Sequence, residues 1–234
     1  MLLVIALLLT LARLLRWSRE ITGALLIVVP LGNTSYLGFP LVQSFFGQEA
    51  MPYAVVYDQL GSFLALAAYA PVIAALYSPA RETPSAAAIL VRILTFPPFI
   101  ALVVGLLLRG VQLPPLADQL VNMLAATLIP VVMIAVGLQV TVRFQRRERL
   151  PLTLALGIKL LLMPACAWLL WLAAGQDGLA TRVAVFQAGM PSMISAGAIA
   201  IGAGLAPRLV AGTVGLGLML SFASLPLLYW LLVG

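Results

Sequence analysis

The sequence predicts an all-α polytopic membrane protein of about eight transmembrane helices, arranged as an inverted repeat in which two broken helices cross. Three observations carry this reading. Of the 234 residues, 63% are hydrophobic and 9% charged, against roughly 25% charged in water-soluble domains. The apolar residues fall into runs long enough to cross a ~30 Å hydrocarbon layer, separated by short stretches that hold the charges, prolines and glycines. Two runs are themselves interrupted, by LGNTSYLGFP at Leu31 to Pro40 and by QAGMPSMISAG at Gln187 to Gly197.

Spans are read at 1–18, 21–46, 51–77, 86–108, 117–142, 150–174, 180–204 and 208–233. The first has no basic residue ahead of its apolar stretch, so it reads as a retained span and not as a cleaved signal peptide. Spans one and six cross in opposite directions, each is followed by an interrupted span, and spans three and eight then correspond. Spans four and five have no counterparts. No stretch remains for a separate water-soluble domain.

Lysine and arginine in short loops favour the cytoplasmic side. Arg13, Arg16 and Arg19 follow span one, Arg81 follows span three, Arg143, Arg146, Arg147 and Arg149 follow span five, and Arg208 follows span seven. These loops all fall on one side of the alternation. The opposite loops hold Arg109 and Arg182 with Glu49, Asp118 and Asp177. The chain is therefore expected in the cell membrane, the inner one if the cell is a Gram-negative bacterium, with both termini outside the cytoplasm. The net charge of +6 reports this topology; nucleic-acid binding would need the charge on a water-facing surface.

Cys166 has no partner in the chain and histidine is absent. That excludes a disulfide framework within the chain and a His-ligated metal site, and no metal or cofactor is expected.

The interruptions have a physical meaning. Proline removes a backbone donor and disfavours helix at its neighbour, while glycine lets the chain unwind and lets other backbones approach. Broken backbone inside a membrane survives only when buried in protein or lining a wet cavity, and half-helix ends there offer partial charges to a ligand. Kinks that serve packing are the alternative for a single interrupted span. Two interruptions in equivalent places of inverted halves favour a binding site.

These segments resemble a known family. LGNTSYLGFPLVQSFFG, beginning at Leu31, is similar to the fourth-helix motif of the auxin efflux carrier family, which includes plant PIN carriers and bacterial organic-acid permeases. QAGMPSMISAGAIA resembles its ninth-helix motif, LVNMLAATLIPVVMIAVGLQV (Leu120 to Val140) its seventh helix, and IKLLLMPA (Ile158 to Ala165) its eighth. The motifs keep the family's order over nearly the whole chain. The resemblance implies an inverted-repeat transporter fold of ten helices, of which this chain matches the third to tenth. Truncation, a late start codon or a shortened homologue would each account for the two without a match. On that pattern 1–80 is the first part of a transport domain, 84–143 a scaffold and dimerisation part, and 149–234 the second part of the transport domain. The implied activity is elevator-type carriage of small organic anions, such as auxin-like or carboxylic acids, by a homodimer joined through the scaffold helices.

Carried over residue by residue, the family pattern puts Asn33 and Thr34 at the first unwinding point and Pro40 at the restart, with Pro191 as the second crossover proline, flanked by Met190 and Ser192. Gly32 stands where PIN carriers have proline. Asn33 both donates and accepts, which suits a carboxylate held beside half-helix N-termini; a capping or interhelix bond is the alternative.

Asp58 and Lys159 are read from depth. At ~1.5 Å per residue both approach the middle of the membrane, where a charged group costs about 2.5 to 3.5 kcal/mol unless it faces the interior or finds a partner. They are expected to meet, Lys159 attracting an anion and Asp58 balancing it or carrying a proton. The alternative for Lys159 is to snorkel to the cytoplasmic interface. Gln59 is a neutral alternative for substrate contact. The expected substrate-binding set is thus Gly32, Asn33, Thr34, Asp58, Gln59, Lys159, Met190 and Ser192.

Trp17 and Trp230 lie near span ends as interface anchors, and Met123, Met133, Met163 and Met219 read as packing. Two other classes are open to this sequence. An enzyme would draw on Lys159 with Ser192 or Ser195 as a nucleophilic pair, and a structural role would make the chain a non-transporting assembly partner. No span carries the charge series or filter of a channel. Nothing in the sequence selects a particular anion, coupling ion or direction.

Overall fold

A computed structural model describes residues 1–78, 85, 87, 90–91, 94–95, 97–111, 114–137 and 148–234. The expected cytoplasmic arginines Arg81, Arg143, Arg146 and Arg147, and the domain limits at 80, 84 and 143, lie outside the described residues.

The described chain is helical between short connections. It forms α1 (Leu2–Leu14), α2 (Arg19–Val28), α3 (Gly38–Phe46), α4 (Gln48–Tyr77), α5 (Pro97–Leu107), α6 (Pro115–Gly137), α7 (Arg149–Ala173), α8 (Leu179–Ala188), α9 (Ile194–Gly202) and α10 (Pro207–Val233). Among the described residues α4, α7 and α10, of 30, 25 and 27 residues, are long and apolar enough to cross a membrane alone. Of the eight apolar runs, the second and seventh are each divided into two half-helices of 9 or 10 residues, and the fourth and fifth are described only in part. At ~1.5 Å per residue one half-helix covers about half of the hydrocarbon layer, so two are needed to cross it. The first helix is also shorter than 1–18, because Arg16 takes a positive φ of 51° and turns the chain.

Local chemistry sets these ends. Ser18 caps α2 by accepting from the Ile21 N–H at 3.3 Å, with Glu20 in the first turn facing the positive end of the helix dipole. Gly47, at a φ of 83°, makes the turn between α3 and α4. Pro207 opens α10, where its missing N–H would have had no intrahelical partner.

Inside α4 the helix widens to π-turns over Asp58–Phe63 and Ala65–Tyr69, and inside α7 over Ile158–Leu162. Ala65–Tyr69 and Ile158–Leu162 each lie just ahead of a proline, Pro71 and Pro164. Proline lacks the N–H and its ring crowds the carbonyl four residues back, which a wider turn relieves. Asp58 and Lys159 both sit on π-turns.

α2 is the centre of the molecule. Every residue from Thr22 to Val28 is buried, and α1, the end of α4, α9 and α10 pack round it. One apolar cluster joins Leu8, Leu25, Ala70, Leu152, Ala200 and Leu209. A second joins Val42, Ala54, Val183, Phe186, Leu218 and Leu225, edged by the rings of Phe45, Phe46 and Tyr229 around Phe186. The interruptions lie where the clusters adjoin: Leu31 and Met193 belong to the first, Leu37 and Met190 to the second. The large apolar side chains left exposed, Leu2, Leu107, Leu162 and Trp230 among them, are of the kind that face lipid.

Candidate functional site

The two interruptions meet. Between α2 and α3, and between α8 and α9, the backbone leaves the helical ladder, and the freed groups of one break satisfy those of the other. Asn33 N–H donates to the Pro191 carbonyl at 2.7 Å and Met193 N–H to the Leu31 carbonyl at 2.9 Å. Gly32 and Ser192 thereby face each other as an antiparallel pair. Non-helical backbone persists in an apolar interior when freed donors find acceptors in protein, and here one donor from each break finds its acceptor in the other.

Three prolines lie at the two breaks. α2 ends at Val28, just before Pro30, which is the proline that closes the first half-helix. Pro40 lies in the first turn of α3, where a missing N–H costs nothing, so it accompanies the restart and does not break the ladder. Pro191 lies inside the second break and presents its carbonyl to Asn33.

Gly32 brings the backbone close to Lys159. Its backbone is outside the left-handed region, but a Cβ there would come within 3.1 Å of Lys159 Nζ and 3.5 Å of the Met190 carbonyl oxygen. Lys159 is 2% exposed. It reaches the crossing and does not snorkel, and Nζ donates to Met163 Sδ at 3.5 Å. Met163, read as packing, does belong to the first apolar cluster and in addition accepts this bond. Met123 and Met219 are exposed and not packed inside; the side chain of Met133 lies outside the described residues.

Asp58 is also 2% exposed. Its Oδ1 accepts from Thr34 Oγ1 at 2.6 Å and its Oδ2 from Gln59 Nε2 at 2.8 Å. Asp58 and Lys159, expected to meet, form no ion pair with each other; the salt bridge among the described residues is the exposed Arg182–Asp177 contact at 3.8 Å. The two charges come to the first break from different helices, Asp58 at Thr34 and Lys159 at Gly32, so the broken backbone lies between them.

The expected residues Gly32, Asn33, Thr34, Asp58, Gln59, Lys159, Met190 and Ser192 are all buried and gather at or beside the crossing. Asn33 Oδ1, Gln59 Oε1 and Ser192 Oγ are buried without a hydrogen-bond partner, a costly state in an apolar interior. The Ser192 hydroxyl and Lys159, one of the two Ser-Lys pairings of the enzyme reading, are not hydrogen-bonded to each other. Among the described residues no cluster of three or more Cys, Asp or Glu side chains suits a metal ion. Sequence reasoning passed over Gln187, which is buried and donates from Nε2 to the Thr34 carbonyl at 3.1 Å. Its only sequence signal was an amide in an otherwise apolar helix just ahead of a break.

Long apolar helices around paired broken half-helices, with one carboxylate and one ammonium buried beside the break, define an integral membrane protein of the transporter class. The chain belongs to the membrane transport protein family, that of the auxin efflux carriers, whose sequence profile matches residues 1–229. It is similar to an uncharacterized transporter of Methanothermobacter thermautotrophicus, with 29% identity over 207 residues, 88% of this chain and 67% of that protein. It is also similar to an uncharacterized transporter of Methanocaldococcus jannaschii, with 25% identity over 219 residues, 92% of this chain and 70% of that one.

Proposed function

We propose that this chain carries small organic anions, auxin-like or carboxylic acids, across the cell membrane by elevator-type alternating access. The observation that supports it most is the pairing of Gly32 with Ser192, which puts two half-helix starts, two breaks and the buried Asp58 and Lys159 at one place. Half-helix N-termini and an ammonium attract a carboxylate. Asn33 and Gln59 supply amides to orient it, and Asp58 limits the positive charge left when the site is empty. The proposed mobile part is 1–80 with 149–234, an inverted repeat about the crossing, and the proposed scaffold is 84–143. The exposed Leu116, Leu120, Val121 and Leu124 of α6 suit a homodimer contact within the bilayer.

Purified protein in proteoliposomes, offered a panel of labelled mono- and dicarboxylic acids, tests this reading. Uptake of at least one acid, lost in Lys159→Met, is expected. Absence of uptake across the panel, in both orientations and with either sign of membrane potential, would favour the assembly-partner reading.

A further inference from the structure

Gln187 has no part in the anion site just described. It is 0% exposed in the last turn of α8, yet its side chain reaches out of its own half of the chain to the Thr34 carbonyl. Thr34 in turn gives its hydroxyl proton to Asp58 Oδ1 at 2.6 Å. A series of hydrogen bonds thus runs from the foot of the second break, through the first break, to the carboxylate on α4. The other end of the amide is as closely fixed. Gln187 Oε1 lies so near Gly38 that a Cβ there would overlap it, although the backbone of Gly38 is outside the left-handed region. Oε1 is buried and accepts no hydrogen bond. A buried amide with one end unsatisfied, pressed on a glycine that its backbone does not need, points to a group held for its placement.

We propose that Gln187 is a positioning residue, seated on Gly38, that fixes Thr34 and through it the Asp58 carboxylate when the two breaks are paired. This rests on the transport reading in that Asp58 belongs to the site proposed there. Gln187 acts through Thr34 and does not touch the anion. Separation of the breaks would take the amide from the Thr34 carbonyl, so the second half of the chain has a direct hold on the charged group of the first.

Asp58 is one of three aspartates, with Asp118 and Asp177. Carboxyl-13C aspartate in an Asp118→Asn, Asp177→Asn background therefore leaves a single labelled carboxyl, to be followed by NMR of the full chain in nanodiscs. Thr34→Val removes the hydroxyl from the carboxylate directly and sets the direction of the shift. Gln187→Leu is expected to move the resonance the same way, and to speed hydrogen exchange of the Asn33 and Met193 amides by about tenfold or more. Gly38→Ala, which pushes the amide from its seat, is expected to give the same two changes. In a Gln187→Asn background, where the shorter side chain vacates that space, Gly38→Ala is expected to add less than about twofold. A resonance that moves in Thr34→Val but stays in place in Gln187→Leu and Gly38→Ala overturns the proposal, as do independent, multiplying effects in the double variant. If Gln187→Leu does not fold, Gln187→Asn and Gly38→Ala carry the same test. No transported anion enters either measurement, so failure to find one counts against the transport reading alone.

Discussion

Gly32 lies directly opposite Ser192, and the bonds on either side, Asn33 N–H to Pro191 and Met193 N–H to Leu31, join two segments that are far apart in sequence. Each break is stable only because the other is there. Every group proposed to meet the substrate is placed with respect to this short antiparallel pair.

Asn33 enters the pair through its backbone, while Oδ1 of its side chain is buried without a partner. Asn33→Leu keeps the size and the backbone bond but deletes the amide. An unmet partner costs about 1 to 3 kcal/mol, so binding of the best anion is expected to weaken by about tenfold or more. Isothermal calorimetry measures this, and an unchanged affinity would show that the amide serves structure alone.

Lys159 holds an ammonium inside the protein with a thioether as its hydrogen-bond acceptor, an environment that repays little of the cost of burial. Lys159→Met is therefore expected to leave thermal stability equal or higher while abolishing anion binding. A variant that unfolds at markedly lower temperature, or one that still binds the anion, would contradict the role given to this charge.

Two glycines separate space needed for function from space needed for packing. At Gly32 a new methyl would meet Lys159 Nζ, the far end of a flexible side chain, at 3.1 Å, whereas at Gly23 it would meet Tyr77 Cβ at 2.5 Å, close to an unyielding backbone. Gly32→Ala should weaken anion binding by about tenfold, since it moves the charge, with a stability change under about 1 kcal/mol. Gly23→Ala should cost about 1 to 3 kcal/mol of stability and leave affinity unaltered. Thermal unfolding and calorimetry on both proteins decide between this pattern and its reverse.

The arginine distribution predicts that both termini lie outside the cytoplasm. On a Cys166→Ser background, single cysteines replacing the exposed residues Glu49 and Asp177 should react with an impermeant maleimide from outside intact cells. Cysteines replacing the exposed Arg16 and Arg208 should react only after permeabilisation. Labelling of the Arg208 position from outside would reverse the topology.

The length of apolar runs and the placing of Pro and Gly are local properties of the chain, and they were legible. The spans read at 51–77, 150–174 and 208–233 correspond to Gln48–Tyr77, Arg149–Ala173 and Pro207–Val233. The LGNTSYLGFP interruption falls between α2 and α3, and Gly189 to Met193 separate α8 from α9. The burial of Asp58 and Lys159 was legible too, because an ionisable group counted well inside an apolar run must turn away from lipid.

The sequence by itself thus determined that the chain is a membrane protein, where it is helical, where the helices break and which polar residues must avoid lipid. The cost of placing a side chain or an unpaired amide in hydrocarbon depends on that residue and its near neighbours alone. Tertiary structure decided the partners. Lys159 faces Gly32 and Met163 and not Asp58, Asp58 is held by Thr34 and Gln59, and Gln187 crosses to Thr34. Pro71 and Pro164 were visible in the sequence, but the π-turns on which Asp58 and Lys159 sit were not. A hydrogen bond forms or fails within a few tenths of an ångström, and that distance is fixed only when helices distant in sequence pack against one another.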